Sequence, residues 1–419
     1  MISPTHSPAP PLPVSIIVPT FNRARLLGEA LDSLVAQSRP AAEILVVDDG
    51  SDDDTAMVVE RFGPAVTYLR QDNSGKAVAL NLGLSRASQD AVWIFDDDDI
   101  ATPDALERLY APLAADPDLD FTYGLCDKFE GEWPSPLTEP NTSYESGDRA
   151  ALYVRLMEDF FIWQGSMLVR RRCYAAVGPF DVRLTRSQDY EMNLRLARRF
   201  RGRGLPFVAF HQRHHAGVRG PRAASVGADK VEAAWRKFNQ IIFRDLHASH
   251  DLMEFYVEAD PAIDPRRKRL TALLQRACIM ARKGLWDLAA ADMVEAAELS
   301  ARLQVAMLNE QEIAALRRVF QSGARSTFSN SGEASAFFAT IRLFASRRQA
   351  SQIAGNLLLP VSHRLRKLLT EKASRAEVGQ VLLLLSHLLR PGYLAEYWKA
   401  RGRSLFMYRV TPLGCEAPA

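Results

Sequence analysis

The chain has 419 residues, of which 47% are hydrophobic and 24% charged, and a formal net charge of +2. At roughly 150 residues per domain that is two or three domains, and the composition argues against a disordered, collagenous or disulfide-rich chain. Cys126, Cys173, Cys278 and Cys415 are far apart with no CxxC pair, which argues against a zinc knuckle or disulfide framework and fits a reducing, cytoplasmic compartment. No run reaches the ~18 apolar residues of a membrane span. The first thirteen residues, rich in Pro and Ser, read as a disordered lead-in rather than a signal peptide. Charge is unevenly spread: residues 1–225 carry −7 and residues 226–419 carry +9.

Residues 14–19 (VSIIVP) are a short, β-branched apolar run and predict a buried strand. Residues 25–37 carry Leu27, Ala30, Leu31, Leu34 and Val35 at helical spacing, and residues 43–48 (EILVVD) form the next strand, ending in carboxylates. A helix over 54–62, a strand over 66–70, a helix over 75–87 and a strand over 91–95 continue the rhythm. This alternation predicts an α/β fold with a mostly parallel sheet and right-handed crossovers.

The strand at 91–95 runs into Asp96-Asp97-Asp98-Asp99. Four adjacent carboxylates repel one another, so a cation or a set of hydrogen-bond donors must face them, and the end of a strand in an α/β sheet is where such a site belongs. Thr102-Pro103-Asp104 then starts a helix over 104–115. The pattern continues with a strand over 121–128, a polar loop over 131–147, a helix over 148–161, strands over 166–170 and 206–210, and a helix over 188–200. From about residue 226 only helical periodicity is found: 231–246, 266–283, 285–303, 310–320, 334–345, 365–389 and 393–400. The pair across Gly284 has the look of a helical hairpin, without a clear second copy. The expected organisation is a lead-in over 1–13, an α/β domain over 14–225 and an all-α domain over 226–419.

Seven segments, in order, carry a resemblance. They are Val18-Pro19-Thr20-Phe21-Asn22-Arg23, Val47-Asp48-Asp49-Gly50-Ser51, and Asn73-Ser74-Gly75-Lys76 with Asn81 and Gly83; then Phe95 to Asp99, Gly178-Pro179-Phe180-Asp181, Gln188-Asp189-Tyr190-Glu191, and Arg213-His214-His215. Together they resemble a family 2 glycosyltransferase with the GT-A fold, over residues 14 to about 220. The resemblance implies a metal-dependent, inverting transfer of sugar from a nucleotide-sugar donor, UDP-linked by expectation, to a hydroxyl of a glycan or lipid-linked acceptor.

Within that resemblance Pro19, Thr20, Asn22 and Asp49 hold the nucleotide, with the Asp49 carboxylate accepting from a uracil N–H. Asp98 binds Mn²⁺ or Mg²⁺, and Asp96 or Asp97 contacts ribose. The fourfold repeat leaves the register open by one residue, and Asp99 is either part of the site or a cap. Hard oxygen ligands suit such a cation, which neutralises the diphosphate leaving group. Lys76 faces phosphate or lies on the helix surface. His215, or His214, stands where relatives place a residue on the metal or diphosphate, and Arg219 and Arg222 sit in a loop able to close over it. Asp189 is the general base for the attacking hydroxyl, although Gln188 replaces the acid that precedes the base in relatives; Glu191 is the fallback. Phe160, Phe161 and Trp163 border the acceptor. A non-catalytic scaffold and a sugar nucleotidyltransferase are the alternatives; the latter lacks its Gly-rich loop after the first strand.

Residues 340–410 hold 13 Lys/Arg against 3 Glu. This basic helical tail is expected either to touch anionic lipid peripherally at the inner membrane face or to face a partner or polyanionic glycan. Nucleic acid is not expected, since aromatic–basic interleaving is missing.

Overall fold

The structure is a computed structural model describing residues 10–138, 140, 148–214, 231–259, 261–321, 333–370, 375–389, 394, 398 and 401. The chain divides into two compact units, Met1–Phe238 and Asn239–Ala419.

The first unit holds one eight-stranded sheet. In chain order its elements are β1 (Leu12–Thr20), α1 (Ala24–Val35), β2 (Ala41–Asp48), α2 (Thr55–Glu60), β3 (Thr67–Arg70), α3 (Lys76–Arg86), β4 (Ala91–Ile94), β5 (Ile100–Ala101), α4 (Ala105–Ala115), β6 (Phe121–Glu130), α5 (Arg149–Glu158), β7 (Met167–Arg170), α6 (Arg171–Val177), α7 (Gln188–Arg199) and β8 (Gly202–His214). The strand order is β3-β2-β1-β4-β7-β6-β8-β5. Pairs β1–β2, β1–β4, β2–β3 and β6–β8 are parallel, and β4–β7, β6–β7 and β5–β8 antiparallel. Two of the antiparallel pairings are those of β7, which lies between β4 and β6, and the third joins the two-residue β5 to β8 at the sheet edge.

Because β1, β2 and β4 run parallel, their C-terminal ends share one rim. Thr20 pairs with Asp48, and Ile17 with Ile94. The Phe95 N–H continues that register by donating to the Ile17 carbonyl at 2.9 Å. Carried on, the same offset brings Thr20 level with Asp97. The strand beneath the acidic run is anchored by its aromatic side chains. Trp93 and Phe95 pack edge to face at 5.2 Å, Phe95 meets Phe210 at 6.0 Å, and Trp93 Nε1 donates to the Gly165 carbonyl at 2.8 Å.

α3 lies close on β1 and β2 because Gly83 has no side chain: a Cβ there would stand 2.5 Å from Ile17 Cγ2. Gly83→Ala is therefore expected to destabilise the first unit by about 1–3 kcal/mol, overpacking outweighing the ~1 kcal/mol gain in helix propensity. Urea unfolding of the variant measures this, and a higher midpoint would contradict the close packing.

The second unit is helical. α8 (Val231–Ser249), in which the division between units falls, is followed by α9 (Pro265–Arg282), α10 (Trp286–Arg302), α11 (Glu310–Arg318), α12 (Ser335–Thr340), α13 (Arg347–Thr370) and α14 (Arg375–Leu388). α9 and α10 form the hairpin foreseen across Gly284, whose φ is +72°. A pair between half-buried Arg276 and buried Asp292 at 2.6 Å and an exposed Arg269–Glu295 pair at 2.8 Å tie it together. Among the described residues no helix is long and apolar enough to cross a membrane. The helix expected over 365–389 is instead the end of α13 and α14, and most of 393–400 lies outside the described residues. α13 begins at Arg347, well before the expected start, and carries Pro360 inside it.

Candidate active site at the sheet rim

The four carboxylates after β4 divide by direction. Asp97, buried, turns back into the protein: its Oδ2 accepts from Thr20 Oγ1 at 2.7 Å and its Oδ1 from Arg23 Nη1 at 2.8 Å. Burial pushes its carboxyl above the usual range while Arg23 opposes the rise. Asp96, Asp98 and Asp99 face one another, each offering an oxygen within 4.8 Å of the others. Asp98 Oδ2 also accepts from Arg23 Nη1, at 2.9 Å, and Asp96 Oδ1 pairs with Lys76 Nζ at 2.5 Å. Asp99, weighed at the sequence level as a possible cap, thus stands with Asp96 and Asp98, and Asp97 stands apart.

The Asp98–Asp99 turn is held from below by β8. The Arg213 N–H donates to Asp99 Oδ1 at 2.9 Å and Arg213 Nε to the Asp98 carbonyl at 2.9 Å. The guanidinium also pairs with Glu29 at 2.5 Å, donates to the Gly131 carbonyl, and lies 4.6 Å from the centre of the Phe129 ring. An almost fully buried arginine satisfied on every side makes this corner rigid.

The loops after β1 and β2 lock together. Asn22, in the left-handed region at φ +52°, accepts from the Asp52 N–H at 2.8 Å and donates its own N–H to Ser51 Oγ at 2.8 Å; asparagine tolerates that conformation better than most residues. Gly50 has φ +83°, and a Cβ there would meet the Asn73 nitrogen at 2.9 Å. Asp49 organises the loop after β3. Its Oδ1 accepts from Gln71 Nε2 at 2.7 Å and the Ser74 N–H at 2.8 Å, and its Oδ2 from the Gly75 N–H at 2.8 Å and Asn73 Nδ2 at 3.2 Å. Both oxygens are thus engaged within the chain, so a base N–H at Asp49 must replace one of these donors. Pro19, paired with Val47, lines the same rim.

The Asn73–Lys76 loop sets Gly75 (φ +95°) before α3, with Lys76 as its first residue. Burial pulls the Lys76 ammonium down, but Asp96, Asp189 and Asp98 together lift it above its ordinary value. Lys76 is half-buried and held by its contact with Asp96, with the Asp189 and Asp98 charges close enough to favour its protonated form. Asp189 is in the first turn of α7, where Ser187 is left-handed at φ +59°. It is half-buried and accepts from the Tyr190 N–H at 2.8 Å. Burial raises its carboxyl above the usual range; Lys76 opposes that rise. Glu191, by contrast, has both oxygens on Arg195, at 2.6 and 2.7 Å.

Asn81 links distant segments of the sequence: its side chain exchanges hydrogen bonds with the Phe180 backbone at 2.8 and 3.0 Å. Phe160 packs on Trp163 at 4.8 Å and on Tyr190 at 5.2 Å, so the aromatic segment abuts the start of α7. His214 is exposed, 3.8 Å from Glu130. His215, Arg219 and Arg222 lie outside the described residues. Arg23, Glu29 and the role of Arg213 were not found from sequence, because nothing in local spacing shows an arginine's carboxylate partner some 75 or more residues away.

Three carboxylates converging within 4.8 Å, all hard oxygen donors, fit Mg²⁺ or Mn²⁺ rather than a soft metal. The cluster thus stands at the C-terminal rim of parallel strands, the place in an α/β sheet where ligands commonly bind, with Asp189 in the first turn of α7 as a further carboxylate.

Residues 15–178 match the model of Glycosyl transferase family 2. An uncharacterized glycosyltransferase of Rickettsia prowazekii is 37% identical over 95 residues, 23% of this chain and 30% of that protein. YwdF of Bacillus subtilis, also an uncharacterized glycosyltransferase, is 29% identical over 202 residues, 46% of this chain and 71% of its own length. In a third relative, from Rickettsia typhi, the match again spans only 31% of its length. Among solved structures, S. aureus TarS 1-349 in complex with UDP-GlcNAc aligns with a TM-score of 0.48 at 16% identity, over 93% of this chain and 92% of that one. The Pyrobaculum calidifontis mannosyltransferase PcManGT in complex with GDP-Man and Mn²⁺ aligns at 0.44 and 21% identity, over 80% and 88%.

Proposed function

We propose that this chain transfers a sugar, with inversion, from a nucleotide-sugar donor (UDP-linked by preference) to a hydroxyl of a glycan or lipid-linked acceptor. The observation that carries the reading is the convergence of Asp96, Asp98 and Asp99 within 4.8 Å of one another at the rim of the parallel strands, with Lys76 paired to Asp96 at 2.5 Å. Asp96, Asp98 and Asp99 are the residues that would hold Mn²⁺ or Mg²⁺, with His215 as a further candidate. Once bound, such an ion supplies charge neutralisation to the departing diphosphate.

The chain's own residues divide the remaining work. Pro19, Thr20, Asn22 and the Asp49-organised loop form the wall for the base and ribose. Lys76 offers its ammonium to phosphate. Asp189 takes the proton of the acceptor hydroxyl as that oxygen bonds to the anomeric carbon, while the electron pair of the breaking bond leaves with the nucleoside diphosphate. Its raised affinity for a proton suits this task, because a strongly acidic carboxylate is a poor base. A panel of UDP-, GDP- and dTDP-sugars incubated with the chain and Mn²⁺ tests the proposal. Nucleoside diphosphate release from one class is expected, with an inverted anomeric configuration in the product. Release that ignores chelation, or a retained anomer, would count against it.

A further inference from the structure

Arg23 holds Asp98, one of the three carboxylates facing the candidate cation position, by the same nitrogen that holds Asp97. Among the described residues its Nε and Nη2 make no hydrogen bond, and its side chain is 23% exposed, so two donors remain open to a ligand entering from solvent. Asp97 takes no part in the Asp96–Asp98–Asp99 cluster. An arginine released from Asp98 therefore stays tethered to Asp97 at the site's edge.

We propose that Arg23 is a donor-diphosphate ligand held in reserve on Asp98. In the free chain its positive charge stands in for a cation. A divalent ion that claims Asp98 repels the guanidinium, and the incoming diphosphate supplies the anionic oxygens to which the planar fork then turns. Metal and nucleotide thereby assist one another: each removes an obstacle to the other's binding, and the two affinities are linked. This rests on the metal–nucleotide reading above, and it assigns to Arg23 the control of how strongly the ion binds before the donor arrives.

The test measures Mn²⁺ binding by electron paramagnetic resonance and UDP binding by calorimetry, on the full chain, for wild type, Arg23→Ala and Arg23→Lys. Arg23→Ala is expected to bind Mn²⁺ alone about tenfold more tightly than wild type, because the guanidinium no longer competes for Asp98. It should bind UDP in saturating Mn²⁺ about tenfold more weakly, so that the coupling between the ligands shrinks. Arg23→Lys keeps a charge against the buried Asp97 but cannot fork to phosphate. It is expected to weaken UDP binding as the alanine variant does, and it serves should the latter fail to fold. Equal or weaker Mn²⁺ binding by folded Arg23→Ala, or unaltered UDP affinity in either variant, would overturn the inference while leaving the function standing. A wild-type chain binding neither ligand would overturn both.

Discussion

Asp189→Asn is expected to lower kcat by about 10²–10⁴-fold, the usual contribution of a positioned general base, with little effect on donor binding. The asparagine keeps the shape and an acceptor for the Tyr190 N–H, so α7 keeps its first turn while the proton acceptor is lost. The wild-type pH profile carries the same information. Burial lifts the Asp189 carboxyl, so the base is protonated, and kcat/KM falls, at a higher pH than for an ordinary aspartate near 3.9. Lys76 holds that value down, and Lys76→Met is therefore expected to move the acid limb further up in pH. Undiminished turnover by Asp189→Asn, or an acid limb that stays put in Lys76→Met, would remove Asp189 from the mechanism. Glu191 is a poor substitute, being closed by Arg195 on both oxygens.

The second large effect is expected at Asp98. Asp98→Asn should weaken Mn²⁺ binding by roughly 100-fold or more, since losing even a hydrogen-bond partner of a metal ligand costs about 10–100-fold, and turnover should fall with it. Asp97→Asn provides the contrast. Asp97 faces Thr20 and Arg23 in the interior, so its loss is expected to appear chiefly as stability, about 1–3 kcal/mol for disrupting a buried charged hydrogen bond. Thermal melts and Mn²⁺ titrations of the two variants should therefore move in opposite proportions. If Asp97→Asn abolished metal binding and Asp98→Asn did not, the register of the acidic run would be shifted by one residue.

The architecture was legible because strands β1, β2 and β4 are short, apolar and β-branched, and each ends in or runs within two residues into polar residues that share a rim once the strands run parallel. What could not be read was direction at the level of single side chains. Asp96 to Asp99 are identical in sequence, and only the β1–β4 register, which sets Thr20 opposite Asp97, separates the inward-facing carboxylate from the others. Arg213 reaches Asp98, Asp99 and Glu29 from a strand expected to end at residue 210, before Arg213 itself. β5 has two residues, too few for any period to show, and α6 starts directly from β7 with two arginines in its first turn. Asp49, expected to accept from a uracil N–H, also holds the loop after β3 through four donors whose convergence depends on the chain path between Gln71 and Gly75.

The central claim is that the rim of this sheet binds a nucleoside diphosphate together with a divalent ion. Calorimetric titration of the whole chain with UDP, GDP and dTDP, each with and without Mn²⁺, tests it most directly. One of the three is expected to bind in Mn²⁺ and to lose at least about tenfold in affinity on chelation, identifying the donor class. Failure of all three to bind in the presence of Mn²⁺, or binding indifferent to the metal, would contradict it.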